Sequence, residues 1–256
     1  MKSNDPAPER ILIIGIEGTG KSEAWVSTAA KYRSSDTPGT FYVLNTEPAG
    51  AIERMGVRWS DFASNVQWEN VTDWQSLIAA TQKFLGLAGS GDWIIIDSVD
   101  RPWEWVRDSY AQFWADHHNL KSKGMFDIIE LPKDDKMWDR INGEYRKWIL
   151  SILDAGRNPA HVLCTSPSQG IRVEGMYKDD AAIIEEFGRF GVRPAGQKHL
   201  SFQHHTVLLA REKQNSYVLS TMKDRSRERM QDAVVLPTDA GGFAMSYLYQ
   251  IAQWTL

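Results

Sequence analysis

Gly15-Ile16-Glu17-Gly18-Thr19-Gly20-Lys21-Ser22 follows the apolar run Ile11-Leu12-Ile13-Ile14 and precedes a segment of helical character from about Glu23 to Tyr32. The spacing is G-x-x-x-x-G-K-[ST], in the strand-loop-helix setting that this motif needs to act as a phosphate loop. Its glycines let the backbone curl until successive N–H groups point inward, and the helix that follows adds the positive end of its dipole. Such a loop cradles polyanionic phosphate. Lys21 is placed to reach the β- and γ-phosphates of ATP, and the Ser22 hydroxyl to ligate Mg²⁺, which prefers hard oxygen ligands. Gly15, Glu17, Gly18, Thr19, Gly20, Lys21 and Ser22 are therefore the candidate ATP contacts.

The 256 residues, 42% hydrophobic and 24% charged, have the balance of one large globular α/β domain. We expect a loose polar arm over residues 1–9 and a single domain over 10–256. No apolar run approaches the roughly 20 residues that span a bilayer, and Met1-Lys2-Ser3-Asn4-Asp5-Pro6 lacks the apolar core of a signal peptide. The expectation is a soluble, cytoplasmic protein with no membrane partner. The lone Cys164, within His161-Val162-Leu163-Cys164, reads as buried and inert. With a net charge of −4, any contact with nucleic acid must come from a local basic surface.

Thr40-Phe41-Tyr42-Val43-Leu44 reads as a second buried strand, Val66-Gln67-Trp68 as a short one, and Asp73 through Leu87 as a helix preceded by Thr72 as a cap. Trp93-Ile94-Ile95-Ile96-Asp97 has the unbroken apolar character of a parallel strand buried on both faces. A Trp-rich helix is expected from Asp100 to about Asp116. A polar stretch from His117 to Lys136 reads as a loop or insertion. A second helix is expected from Met137 to Ala155, with Trp138, Ile141, Tyr145, Trp148, Ile149 and Ile152 on one face. The strand Ala160 to Thr165 follows. Ser166 to Leu200, rich in glycine, reads as irregular apart from a short helix around Ala181 to Phe187. Thr206 to Arg211 and Tyr217 to Met222 form a hairpin pattern. Strands alternating with helices imply parallel βαβ units, and the hairpin an antiparallel extension of the same sheet.

Asp97, at the tip of its strand, is a candidate to hold the Mg²⁺ shell with Ser22. Hydrolysis of ATP also needs a carboxylate to polarise the attacking water, and either Glu47 or Asp100 is placed to supply it. Asn45-Thr46-Glu47 closing the second strand and Asp97-Ser98 closing the acidic one resemble the RecA-like P-loop ATPases. The resemblance covers roughly residues 10 to 225 and implies Glu47 as the base. Ser220-Thr221-Met222-Lys223-Asp224-Arg225 adds to it, since it looks like the lysine-x-arginine pair with which RecA-like and hexameric-helicase proteins reach a neighbour's γ-phosphate. Lys223 and Arg225 would then complete a neighbour's site, and the chain would form homo-oligomers with ATP at the subunit interface. Where the family carries a sensor glutamine, this chain has Thr165-Ser166, so either Ser166 or Gln169 fills that place.

In size the chain is most similar to the small RecA-like recombination and annealing ATPases of bacteriophages. The resemblance implies a Mg²⁺-dependent ATPase acting on DNA, single-stranded DNA favoured, in phage recombination or replication, in the host cytoplasm if the source is viral. A DNA packaging or translocation motor and a nucleotide-dependent assembly switch with low turnover are the alternatives. For DNA the best surface is the basic, glycine-bearing stretch after the fifth strand, led by Arg172 and Lys178. Most tryptophans fall at helical spacing with other apolar residues and read as core. His117-His118 and His204-His205 lack companions at metal spacing and read as structural or surface residues.

Overall fold

The computed structural model describes residues 7–33, 39–47, 52, 62–117, 135–175, 178–214, 216–225, 233–234, 242–243 and 247–248. Residues 118–134 of the expected insertion and most of the N-terminal arm lie outside them, while His117, Asp135 and Lys136 belong to the flanking helices. The elements are β1 (Arg10–Gly15), α1 (Lys21–Arg33), β2 (Phe41–Asn45), β3 (Val66–Asn70), α2 (Trp74–Leu87), β4 (Trp93–Asp97), α3 (Asp100–His117), α4 (Asp135–Leu153), β5 (His161–Gly170), α5 (Ala181–Phe187), β6 (Val192–Pro194), β7 (Thr206–Lys213), β8 (Ser216–Asp224) and β9 (Ala233–Val234). They form an α/β fold whose mixed, mostly parallel sheet runs in the order β3-β2-β4-β5-β1-β7-β8-β9, with β6 paired to β5 off that path. From β3 across to β7 every neighbouring pair is parallel, and β7, β8 and β9 turn antiparallel.

Side chains of successive strand residues point to opposite faces, which sorts the apolar runs into two cores. Leu12, Ile14, Leu44, Ile94, Ile96, Val162 and Cys164 pack with residues of α2, α3 and α4, among them Phe84, Val106, Tyr145 and Trp148. Ile11, Ile13, Phe41, Val43, Ile95 and Leu163 face the other way, against Trp25, Val26 and Ala29 of α1 and against Phe243 and Tyr247. Each face is thus covered by helix, which is why β1, β2 and β4 are buried at every position. Cys164 is fully buried, as expected, and burial pushes its thiol well above the usual range.

Three details differ from the expectations, and the placing of Arg10 is a fourth feature that they did not address. The cap of α2 is Asp73, not Thr72: the Asp73 carboxylate accepts the Ser76 N–H at 2.8 Å while the Ser76 hydroxyl accepts the Asp73 N–H at 3.2 Å. This reciprocal pair satisfies two free donors at once. Trp138 is 38% exposed under the Arg107 guanidinium, because the buried stripe of α4 starts one residue earlier and runs through Met137, Ile141, Tyr145, Trp148 and Ile152. The fifth strand does not stop at Thr165 but continues to Gly170, where Ser168 to Gly170 pair antiparallel with β6. Arg10 opens β1 fully buried. Its guanidinium donates to the carbonyls of Leu153, Glu9, Ala160 and Asn158, stitching β1 to the turn between α4 and β5, and burial lowers its pKa to about 10.

Two buried histidines set a pH limit on this fold. His161 accepts the Glu9 N–H at 3.0 Å, and His204, fully buried, makes its Nδ1 bond to the Leu200 carbonyl. Burial first, with Arg10 or Lys223 nearby, lowers both pKa values to about 3. The unfolded chain takes up these protons below about pH 6.5, while the folded one refuses them until near pH 3. Their contribution is present above pH 6.5 and is lost as pH falls toward 3. Each group adds a slope of about 1.4 kcal/mol per pH unit near pH 5. Denaturant midpoints should therefore drop between pH 7 and pH 5, and an unchanged midpoint would remove both histidines from the account.

Candidate functional site

The carboxyl ends of β1, β2, β4 and β5 converge on the loop between β1 and α1. That loop can be glycine-rich only at a cost in chain entropy, and the structure shows what the glycines permit. Gly18 and Gly20 have φ of +76° and +80°, in the left-handed region that side chains disfavour. At Gly15 a Cβ would lie 2.6 Å from the Ala210 carbonyl oxygen of β7, so no larger residue fits between the strands there. The Thr19 hydroxyl and the Lys21 ammonium both donate to the Ile16 carbonyl at 2.8 Å, holding the loop closed on itself. α1 starts at Lys21, so Lys21 and Ser22 occupy its first turn.

Asp97 ends β4, only 3% exposed. The Trp25 indole N–H donates to its Oδ2 at 2.9 Å, and the Thr165 hydroxyl donates to its Oδ1. Trp25 lies four residues after Lys21, on the same face of α1, and Thr165 is on β5, which separates β4 from β1. Two neutral donors thus fix the carboxylate from both sides. A carboxylate has about four acceptor positions, so two remain for water or a cation shell. With the Ser22 hydroxyl, the donors are hard oxygens, which suits Mg²⁺ held partly through its water shell.

Glu47 and Asp100 flank this centre. Thr46 anchors the end of β2 to the end of β4: its N–H donates to the Asp97 carbonyl at 2.8 Å and its hydroxyl to the Ser98 carbonyl at 2.6 Å. Glu47, the next residue, is half-buried. Burial and then the Asp97 carboxylate push its pKa up, while Lys21 pulls it back. Lys21 is shifted the other way, lowered by burial and supported by Glu47, Asp97, Asp100 and Glu17. The Lys21 cation and the carboxylates of Glu47, Asp97, Asp100 and Glu17 therefore share one electrostatic environment. Asp100 is placed differently, since it opens α3 and its Oδ1 accepts the Ser98 hydroxyl.

The remaining sequence candidates are distributed as follows. Ser166 is buried on β5, level with Ile14 of β1, and donates to the Pro167 carbonyl. Gln169 stands on the projecting end of β5, and its amide donates to the Pro194 carbonyl at 3.2 Å. Lys223 and Arg225 lie at the far end of the sheet, where β8 pairs Lys223 with Val207. Lys223 is 6% exposed and bonded to the Ser201 carbonyl at 2.9 Å, with Glu186 at 3.9 Å, and burial lowers its pKa. Arg225 is exposed and donates to the Phe202 carbonyl.

In the basic stretch, Arg172, Lys178, Arg189 and Lys198 are exposed, but Arg193 is drawn inward against the buried Asp179, at 2.8 Å. Arg172, Arg193 and Lys198 line a cleft of about 390 Å³ with Trp103, Asn142, Gln169 and Gln197. Trp103, Trp105 and Trp74 are partly buried against the core. Among the described residues no group of three or more His, Cys, Asp or Glu is arranged to hold a metal, and no helix is long and apolar enough to cross a membrane. Trp25, Thr46 and Thr165 were not among the sequence candidates. Trp25 and Thr165 meet Asp97 from 72 and 68 residues away, and no local signal marks either. No protein-family model matches the chain, and no curated protein matches it.

Proposed function

We propose that the chain is a Mg²⁺-dependent RecA-like P-loop ATPase. The observation that carries this reading is a loop shaped by Gly18 and Gly20 that leads into a helix beginning at Lys21, the same helix whose Trp25 holds the buried Asp97 at the end of β4. In this reading the loop amides and Lys21 hold the phosphates, exchanging the Lys21 bond to the Ile16 carbonyl for phosphate oxygens. Ser22 and Asp97 would hold Mg²⁺, which neutralises phosphate charge when bound. Trp25 and Thr165 keep the Asp97 carboxylate oriented, and Glu47 takes the proton of the attacking water.

DNA is the proposed effector, single strands favoured, in a recombination or replication role, with Arg172, Lys178 and Lys198 as the exposed cations that contact its backbone. The buried Arg193 supports the wall of that surface. A neighbouring chain is the proposed second partner. Arg225, being exposed, is the member of its pair suited to reach across an interface, whereas Lys223 is committed within its own chain.

The test is phosphate release from ATP with and without Mg²⁺, with single- or double-stranded DNA, over a range of protein concentrations. The expected result is Mg²⁺-dependent turnover that rises severalfold with single-stranded DNA, falls with added salt and grows per chain with concentration. Turnover indifferent to DNA would leave a switch rather than a DNA-dependent ATPase, and no turnover under any condition would refute the enzyme reading.

A further inference from the structure

Two aromatic rings stand near the phosphate loop, one on each face of the sheet. β7 and β8 rise past the level of Gly15, and so does the β5–β6 ribbon, so the loop lies in a trough between them. On the face of α3 and α4, a cavity of about 620 Å³ is lined by Ile16, Thr19, Leu209, Arg211 and Phe190. One face of the Phe190 ring there is already taken by the Arg189 guanidinium, 4.5 Å from its centroid. On the face of α1 stands Tyr217, the second residue of β8. It is 47% exposed, although its neighbours Val218 and Leu219 are buried. Its ring comes within 3.9 Å of where a Cβ on Gly20 would lie, so it rests against the last glycine of the loop. Beneath it, Thr19, Glu23, Ala24 and Phe243 close a cavity of only about 40 Å³, too small for a ring system. A planar ligand beside this tyrosine must therefore lie on its outer face.

We propose that Tyr217 is the platform on which the base of the bound nucleotide stacks. This inference rests on the phosphate-loop reading and gives the nucleotide a direction. Asp97 and Tyr217 flank β1 on opposite sides, each two strands away, or about 10 Å at the usual strand spacing. The metal-bearing end of the phosphate chain lies toward β4, so the α-phosphate and nucleoside leave toward β8. An aromatic ring with one face free is the surface on which a base stacks, whatever its hydrogen-bonding edge.

The experiment compares Mg²⁺-ADP with Mg²⁺-pyrophosphate by calorimetry on the parent chain, Tyr217→Ala and Tyr217→Phe. ADP carries the base and pyrophosphate does not. The expected result is that Tyr217→Ala weakens ADP roughly tenfold and leaves pyrophosphate within about twofold, while Tyr217→Phe keeps both. Equal weakening of the two ligands would mean that the ring only buttresses the loop, and no change in either would mean that it does not touch the base. Both results overturn the proposal. A parent chain that binds neither ligand would instead refute the phosphate-loop reading, and with it this one.

Discussion

Lys21→Ala should lose nucleotide binding and turnover together while leaving the fold intact. The ammonium is half-buried in the first turn of α1, and its one described hydrogen bond is to the Ile16 carbonyl within the loop. Alanine is the better helix former, and two of the acids around Lys21, Asp97 and Asp100, are held by other bonds, so thermal unfolding should shift by little. Binding is different. A charge-assisted bond from a partly desolvated ammonium to phosphate is the strong kind, and removing one partner of such a pair costs about 3 kcal/mol or more. That corresponds to a loss of affinity of at least roughly 100-fold. Glu47, Asp97, Asp100 and Glu17 would also lose the cation they share, which repels the triphosphate further. A Lys21→Ala chain that binds and hydrolyses ATP like its parent would end the phosphate-loop reading.

What the sequence made legible follows physical range. β1, β2 and β4 are continuous apolar runs because both of their faces are buried, and each stops where a polar tip meets the site. Composition alone marks such strands. α5 was also readable, since Ala181 to Phe187 is bounded by Asp180 and Gly188. The extension of β5 was not. Pro167, Gly170 and Pro194 look like strand breakers; Pro167 closes the main-sheet register of β5 opposite Gly15, and Gly170 and Pro194 are tolerated because their ribbon projects beyond the main sheet, where fewer ladder bonds are required of each residue. The contacts that fix Asp97 were equally hidden. Trp25 and Thr165 lie 72 and 68 residues away from it, and nothing local tells a tryptophan in the core from one whose indole N–H holds a carboxylate. Lys223 shows the reverse case: a motif position read as a surface cation is buried against the Ser201 carbonyl, because the short turn from Leu200 to Gln203 packs over the end of β8.

Glu47→Gln and Asp100→Asn together decide which acid polarises water. Glu47 lies one residue beyond the Thr46 clasp, so β2 and β4 position it, yet its own carboxylate is held by no described hydrogen bond from either strand. Burial and Asp97 raise its proton affinity, bringing it closer to the working pH, where a base is most effective. Asp100 instead accepts the Ser98 hydroxyl at the start of α3, a bond that occupies it structurally. Glutamine keeps the size and polarity of Glu47 but cannot take a proton. Nucleotide affinity should therefore stay within a few-fold, while turnover falls roughly 100-fold or more. Asp100→Asn should keep most of the turnover. The pH profile gives an independent sign. A raised pKa means that the parent loses activity on acidification at a higher pH than an ordinary glutamate would, since the protonated form is inactive. The residual activity of Glu47→Gln should lack that acid limb. If Asp100→Asn proves the crippling change and removes the limb, while Glu47→Gln stays active, the base belongs to the start of α3 and the assignment drawn from the end of β2 fails.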